Sequence, residues 1–279
     1  MSTLNADELA FYTKHTGIQD QDKLKDHITE VAKKAFEIFP ILTIITSFMV
    51  MPRFCNQVRS QSGYKRLLEL GSTRKNALFL DLDVAVIGND IRKAIADGFP
   101  AENIIASDIH AGACSNSQNC IPVIFIPGDA FDPSFISIQP PLKTLPTAEV
   151  ESISLRSLLQ AEPKSINPLR GHLSAIHTSA FFHLFNKDEQ VIIAKKLASL
   201  LSPLPGSIIF GSQIGSEVPH EAVKPSRGTL LYSHSPESRK MWEEEVSGME
   251  DQGEESSRMI QVDAGLWDER HIWWVVTRL

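Results

Sequence analysis

The rhythm of apolar and polar positions changes near residue 76. Before it, apolar residues recur at helical spacing. In DKLKDHITEVAKKAFEIF, Leu24, Ile28, Val31 and Phe36 form one stripe, with Lys, Asp and Glu on the opposite side. Residues 6–37 therefore read as helical, and Pro40 ends the run. After Pro52, GYKRLLELG predicts a short helix with Gly71 at its C′ position.

From residue 76 onward, short apolar runs alternate with amphipathic ones. ALFLDL (77–82) lacks an in–out alternation, as expected of a parallel strand buried on both faces. NDIRKAIADGFP (89–100) predicts a helix capped by Asn89 or Asp90 and closed by Gly98 and Pro100. NIIASD (103–108) is a second strand, and CIPVIFIPGD (120–129) contains a third with Pro122 near its start. Residues 132–147 are a proline-bearing loop, and LRSLLQ is a short helix. HLSAIHTS (172–179) is a fourth strand. NKDEQVIIAKKLASLLSP (186–203) is a helix whose Asn186 and Glu189 make a capping box. GSIIFGSQ (206–213) is a fifth strand, and SPESRKMWEEEV (235–246) is a helix opened by Ser235 and Pro236. MEDQGEESS is an acidic loop, and MIQVDAGLW and HIWWVVTRL close the chain as two paired strands. Strand–helix alternation of this kind predicts an α/β fold, a Rossmann-like and mostly parallel sheet with helices on both faces. A helical N-terminal cap over residues 1–75 precedes the core of residues 76–279.

Composition narrows the function classes. The chain has 279 residues, 42% of them hydrophobic and 22% charged, which suits one large domain. Its net charge of −7, without a Lys/Arg cluster, argues against nucleic acid as a partner. The cysteines are Cys55, Cys114 and Cys120, with no CxxC, so neither a disulfide framework nor a metal site is expected. The start has no basic n-region followed by an apolar h-region. The most apolar run, ILTIITSFMVM (41–51), is about half the roughly 20 residues that span a bilayer. A cytoplasmic protein without stable membrane insertion is the expectation. The oligomeric state stays open, a homodimer included.

Ligands of open parallel sheets bind beyond the carboxyl ends of the strands. Acidic residues stand at three successive ends: Asp81 or Asp83, then Asp108, then Asp129. Asp108 follows Gly88 by 20 residues, the spacing at which an acid meets the ribose hydroxyls in dinucleotide folds. Taken singly, each acid is more simply a helix or loop cap; the set of three favours a nucleoside. The turn itself reads DVAVIG, with Asp83, Val84 and Ala85 where a pyrophosphate site needs glycines. A nucleoside cofactor without phosphates, S-adenosylmethionine, tolerates such a turn.

Several segments together carry a resemblance: FYTKHTGI, FLDL followed by GNDIRKAIADGFPAENIIASD, FIPGDAFD, RGHLSAIHTSAFFHLF, LASLLSPLPGSIIFGSQIG and SHSPES. The chain is similar to fungal class I S-adenosylmethionine-dependent methyltransferases that tailor terpenoid and meroterpenoid secondary metabolites. The resemblance covers most of the chain and implies the class I methyltransferase type of sheet. It implies ribose and adenine contacts at Asp108–Ile109 and Asp129–Ala130. It also implies a cofactor turn at Gly88, with Asp81 anchoring that turn or meeting the methionine amino group. The family's turn resembles DxGCxxG; here DLDVAVIG lacks the early glycine and is one residue longer.

The implied reaction is O-methylation of a carboxyl, or of a hydroxyl, on a small apolar metabolite. A carboxylate is already ionised and needs no base; for a hydroxyl acceptor His177 is the candidate base. His177 reads equally as a core histidine held by its surroundings. His183, among Phe181, Phe182 and Phe185, reads more simply as core than as an acceptor contact. Phe11, Tyr12 and His15, with residues 41–51, are candidates for a lid over the acceptor. Trp267, Trp273 and Trp274 read as core, and WEEEV as solvated surface. Two rivals stand beside this reading. One is a methyltransferase-like protein that has lost transfer and serves as a cyclase-type enzyme or pathway partner. The other is a nicotinamide oxidoreductase, disfavoured by the missing glycines.

Overall fold

The computed structural model describes residues 6–38, 62–82, 88–110, 122–145, 154–159, 163–224, 229–246 and 259–279. Residues 41–51 and Asp83 lie outside the described residues. Seven strands form the main sheet: β1 (Leu78–Leu82), β2 (Ile104–Ser107), β3 (Ile124–Phe125), β4 (Leu173–Ser179), β5 (Ile208–Ile214), β8 (Ile260–Asp268) and β9 (His271–Arg278). Their spatial order is β3-β2-β1-β4-β5-β9-β8. Strands β1 to β5 run parallel, and β9 joins β5 antiparallel with β8 beside it. This is a Rossmann-like, mostly parallel sheet. The order reverses between β1 and β4, which opens a crevice at their carboxyl ends.

Both sheet faces are covered, which is why the strands read as unbroken apolar runs. One face carries Leu80, Ile105, Ile176 and Ile209 against Leu155 of the short helix α5 (Leu155–Leu158) and Ile193 and Leu197 of helix α6 (Lys187–Leu200). The other carries Phe79, Ala106, Ala175 and Phe210 against Leu67 of α3 (Ser62–Thr73) and Ile91 of α4 (Asn89–Ala96). The Asn186–Glu189 capping box at the start of α6 forms as expected, with both hydrogen bonds at 3.0 Å.

Several local expectations are corrected. Residues 6–37 are two helices, α1 (Ala6–Thr16) and α2 (Gln21–Ile38). Gly17 turns the chain at φ 73°, and the Asp20 carboxylate accepts the N–H groups of Asp22 and Lys23. Gly71 lies within α3 and does not cap it. Its missing Cβ admits Phe99, whose ring a Cβ would meet at 2.5 Å, and Asn76 (φ 55°) makes the left-handed turn instead. The cap of α4 is Gly88 at φ 58°, not the side chain of Asn89 or Asp90. Strand β3 is two residues long, although the N–H groups of Ile126 and Gly128 extend the pairing to Ala106 and Asp108.

Residues 236–246 are not one helix but a 3₁₀ turn, an α turn and a π turn in succession. Trp242 and Val246 of WEEEV are buried, so only part of that segment is solvated surface. A hairpin of β6 (His220–Lys224) and β7 (Thr229–Ser233) was not foreseen, although HEAVK and TLLYS flank a PSRG turn signal. Among the described residues, no helix is long and apolar enough to cross a membrane.

Candidate cofactor and acceptor site

The crevice begins with a buried polar cluster inside the sheet. Asp81 and His177 are register partners in the neighbouring strands β1 and β4, and share a face with Phe79, Ala175 and Phe210. His177 Nδ1 lies 2.8 Å from Asp81 Oδ1, and both side chains are almost wholly inaccessible. Asp81 is therefore within the strand, not at its end. Asp90, in the first turn of α4, is buried on the same side of the sheet.

Burial is the main influence on Asp90 and His177. It raises Asp90 to about 8, with Asp81 adding to the rise and His177 opposing it. Burial alone would lower His177, but the Asp81 charge and hydrogen bond, with a contribution from Asp90, leave it raised. One imidazolium needs one carboxylate. His177 is thereby biased towards its protonated form beside Asp81, and Asp90 towards its neutral form. Two polar atoms in the cluster, His177 Nε2 and Asp90 Oδ1, have no hydrogen-bond partner among the described residues.

The acids expected from the sequence stand along the crevice. Asp108 directly follows β2 and is buried; its Oδ1 accepts the N–H of His110 at 2.9 Å. Ile109 beside it is 60% exposed, an apolar side chain available to a flat ligand. Asp129 is exposed, and its Oδ1 holds the N–H of Phe131 at 2.8 Å. The buried Lys196 of α6 donates to the carbonyl of Ala130 at 2.7 Å and so pins this loop to the helix. Gly128 N–H to Asp108 C=O (3.0 Å) ties the second and third strand ends together. The structure thus brings Gly88, Asp108, Ile109, Asp129 and Ala130 to one edge of the sheet.

The turn after β4 is held tightly. Gly211 of β5 has no room for a side chain, because a Cβ would lie 1.8 Å from the Thr178 carbonyl oxygen. Ala180 adopts φ 55°, a conformation that costs about 1 kcal/mol in a non-glycine residue, and donates to Ser212 C=O at 2.7 Å. His183 follows in a 3₁₀ turn, and its N–H donates to Gln213 Oε1 at 3.0 Å. It is not brought to His177. On the cap side, Phe11 of α1 lies under Lys93 of α4 at 6.0 Å, and the His15 ring leans on Phe11 at 4.5 Å. Burial lowers His15, with the charges of Lys14, Arg92 and Lys93 adding to the effect. Helix α1 with Tyr12 and His15 thus stands beside α4.

The fit of S-adenosylmethionine follows from these groups. The first turn of α4, where a phosphate would need open N–H groups, carries the buried carboxyl of Asp90. It is compatible with a cofactor whose nearest group is an ammonium. Asp108 and Asp129 are acceptors of the kind that a ribose and an adenine amine would need. Sequence reading missed Asp90 as a member of the cluster. It also missed the pairing of Asp81 with His177, for which the signal was one Asp and one His inside otherwise apolar strands.

The family model described as the meroterpenoid methyltransferase N-terminal domain matches residues 1–46. The chain is similar to fungal methyltransferases. O-methyltransferase phiE from a fungal species is 27% identical over 248 residues, covering 86% of this chain and 71% of phiE. Methyltransferase ausD of Aspergillus calidoustus is 28% identical, covering 80% and 70%. The Asnovolin E/Chermesin D methyltransferase nvfJ of Aspergillus novofumigatus is 26% identical, covering 76% of this chain and 65% of nvfJ. The chain spans 57% of another such relative, O-methyltransferase atr3 of Stereocaulon alpinum. Among solved structures, the complex of DhpI with SAH aligns with 90% of this chain and 94% of DhpI at 11% identity, with a TM-score of 0.44.

Proposed function

We propose that this protein is an S-adenosylmethionine-dependent O-methyltransferase acting on a small apolar metabolite of the terpenoid or polyketide type. The observation that carries the reading is the placement of Asp108 and Asp129 on the adjoining ends of β2 and β3, beside Gly88, on a sheet of this strand order. The similarity to enzymes named O-methyltransferases supports it.

When bound, S-adenosylmethionine supplies an electrophilic methyl group on sulfur. Asp108 holds the ribose hydroxyls, with Ile109 against the adenine face, and the Asp129–Ala130 loop meets the adenine amine. The Asp81–His177–Asp90 cluster lies beneath the methionine end. Inside the sheet and 1% exposed, His177 has little access to an acceptor hydroxyl. Its role in this proposal is to fix Asp81 within β1; α1, with Tyr12 and His15, flanks α4. Rate enhancement then rests on alignment and exclusion of water. A cytoplasmic location belongs to the same reading.

Calorimetry with S-adenosylhomocysteine tests the cofactor assignment. Wild-type protein binds, and Asp108→Ala weakens binding at least about tenfold, the effect of losing charge-assisted hydrogen bonds of about 1.5–3 kcal/mol. No binding by folded wild-type protein would overturn the methyltransferase reading and favour the non-methylating rival. Transfer itself is read as labelled methyl entering an organic extract from a panel of apolar acids and hydroxyl compounds.

A further inference from the structure

A second buried polar group lies away from Asp108 and Asp129, among residues of the sheet face that α6 covers. His234 follows β7 within the SHSPES motif, and its backbone C=O accepts the N–H of Ser216 from the loop after β5 (3.0 Å). The residue is 6% exposed, and among the described residues neither ring nitrogen has a hydrogen-bond partner. Trp274 of β9 is equally buried, and its indole Nε1–H is also without a partner. Both line one cavity of about 30 Å³, walled by Phe182, Trp242 and Ile272 and bordered by Gln213. Gln213 Oε1 holds the turn that carries His183, so the cavity adjoins the carboxyl ends of β4 and β5.

Leaving buried donors and acceptors unpaired costs about 1–3 kcal/mol each, so such groups mark a place where a partner arrives. The volume accommodates one small functional group, not a terpenoid skeleton. Burial first, then the charge of Lys187, pushes His234 down to about 4. At neutral pH its ring is uncharged and presents one N–H and one lone pair. The apolar walls make a charged occupant costly. A hydroxyl is complementary: its O–H donates to the imidazole lone pair while its oxygen accepts from the Trp274 N–H. A carboxylate only accepts, so it would leave the imidazole lone pair unpaired and bring its charge among apolar walls.

We propose that the cavity between His234 and Trp274 is a recognition subsite for a neutral hydroxyl group of the methyl acceptor. Calling the ligand an acceptor rests on the methyltransferase reading above; the hydroxyl site itself does not. The occupant is the hydroxyl-bearing tip, and the rest of the molecule lies outside the cavity. Acceptors with a free hydroxyl are thereby preferred over analogues masked as ethers.

The test uses the full chain labelled with ¹⁵N at its four tryptophan indoles, the Trp274 resonance being assigned by its loss in Trp274→Phe. Titration with cyclohexanol shifts that resonance, whereas cyclohexyl methyl ether and cyclohexanecarboxylate do not. In His234→Leu the apparent affinity read on the same resonance falls about tenfold, which corresponds to about 1.4 kcal/mol. An unmoved Trp274 resonance, or equal shifts from cyclohexanol and the carboxylate, would overturn the subsite. S-adenosylhomocysteine binding is measured on the same samples. Its absence, together with an intact cyclohexanol response, would remove the methyltransferase reading and leave the hydroxyl site standing.

Discussion

At the residue scale, the two acids beside His177 do opposite things, and single substitutions separate them. Asp81 is the charge partner at 2.8 Å, and removing one member of a buried pair strands the other. Asp81→Asn is expected to destabilise the fold by about 3 kcal/mol or more. Asp90 is a buried acid held neutral, with its pKa raised to about 8. In the unfolded chain it ionises above its ordinary value of 3.8. Folding is therefore opposed increasingly as pH rises from there towards 8. Asp90→Asn removes that opposition and stabilises the protein by about 2 kcal/mol at pH 7, with the gain vanishing near pH 4. Urea unfolding of both variants at the two pH values checks the signs. Loss of stability in Asp90→Asn at pH 7 would show an ionised Asp90.

This cluster also marks how far the site was legible. Asp108 and Asp129 were readable because a strand-end acid needs only a strand boundary to be placed. The Asp81–His177 pair needed the strand order and register, since 96 residues separate the partners and no local signal joins them. The polar cavity was hidden differently. Trp274 was expected in the core and is there, but which of its atoms lack partners depends on four distant segments meeting.

At the element scale, boundaries set by side-chain chemistry were readable and those set by packing were not. The α6 capping box follows from Asn186 and Glu189 alone. Gly71 looked like a helix end because glycines often are, yet its function is to admit the ring of Phe99. The same logic governs β5. Gly211→Ala places a methyl group against the Thr178 backbone oxygen, which cannot withdraw without parting β4 from β5. That variant is expected to lose cooperative thermal unfolding altogether. Asn186→Ala, which removes a cap and leaves the sheet untouched, should cost only about 1 kcal/mol. Calorimetric melts of the two distinguish a packing constraint from a capping preference. A Gly211→Ala protein that melts like wild type would show that the β4–β5 contact is looser than described.

At the scale of the whole molecule, the alternation of apolar runs and helices specified the sheet, and the closing hairpin of β8 and β9 was legible from paired β-rich runs. The β6–β7 hairpin was not, because its strands are short and its exposed face carries Val223. The proposed cofactor site draws on β1, β2 and the segments after β3 and β4, so a ligand there couples the parallel half of the sheet. A ligand that binds only the folded state raises stability by RT ln(1 + [L]/Kd), about 2.7 kcal/mol at one hundred times Kd. S-adenosylhomocysteine is therefore expected to raise the melting temperature of the whole domain by several degrees. NAD, whose pyrophosphate would face Asp90, should leave it unchanged. The increase should fall in Asp108→Ala and persist in Trp274→Phe, since the hydroxyl subsite lies at the β5–β9 side of the sheet. A rise with NAD equal to that with the nucleoside would mean that the start of α4, with Asp90 buried in its first turn, accommodates phosphate, and the argument from Asp90 would fail with it.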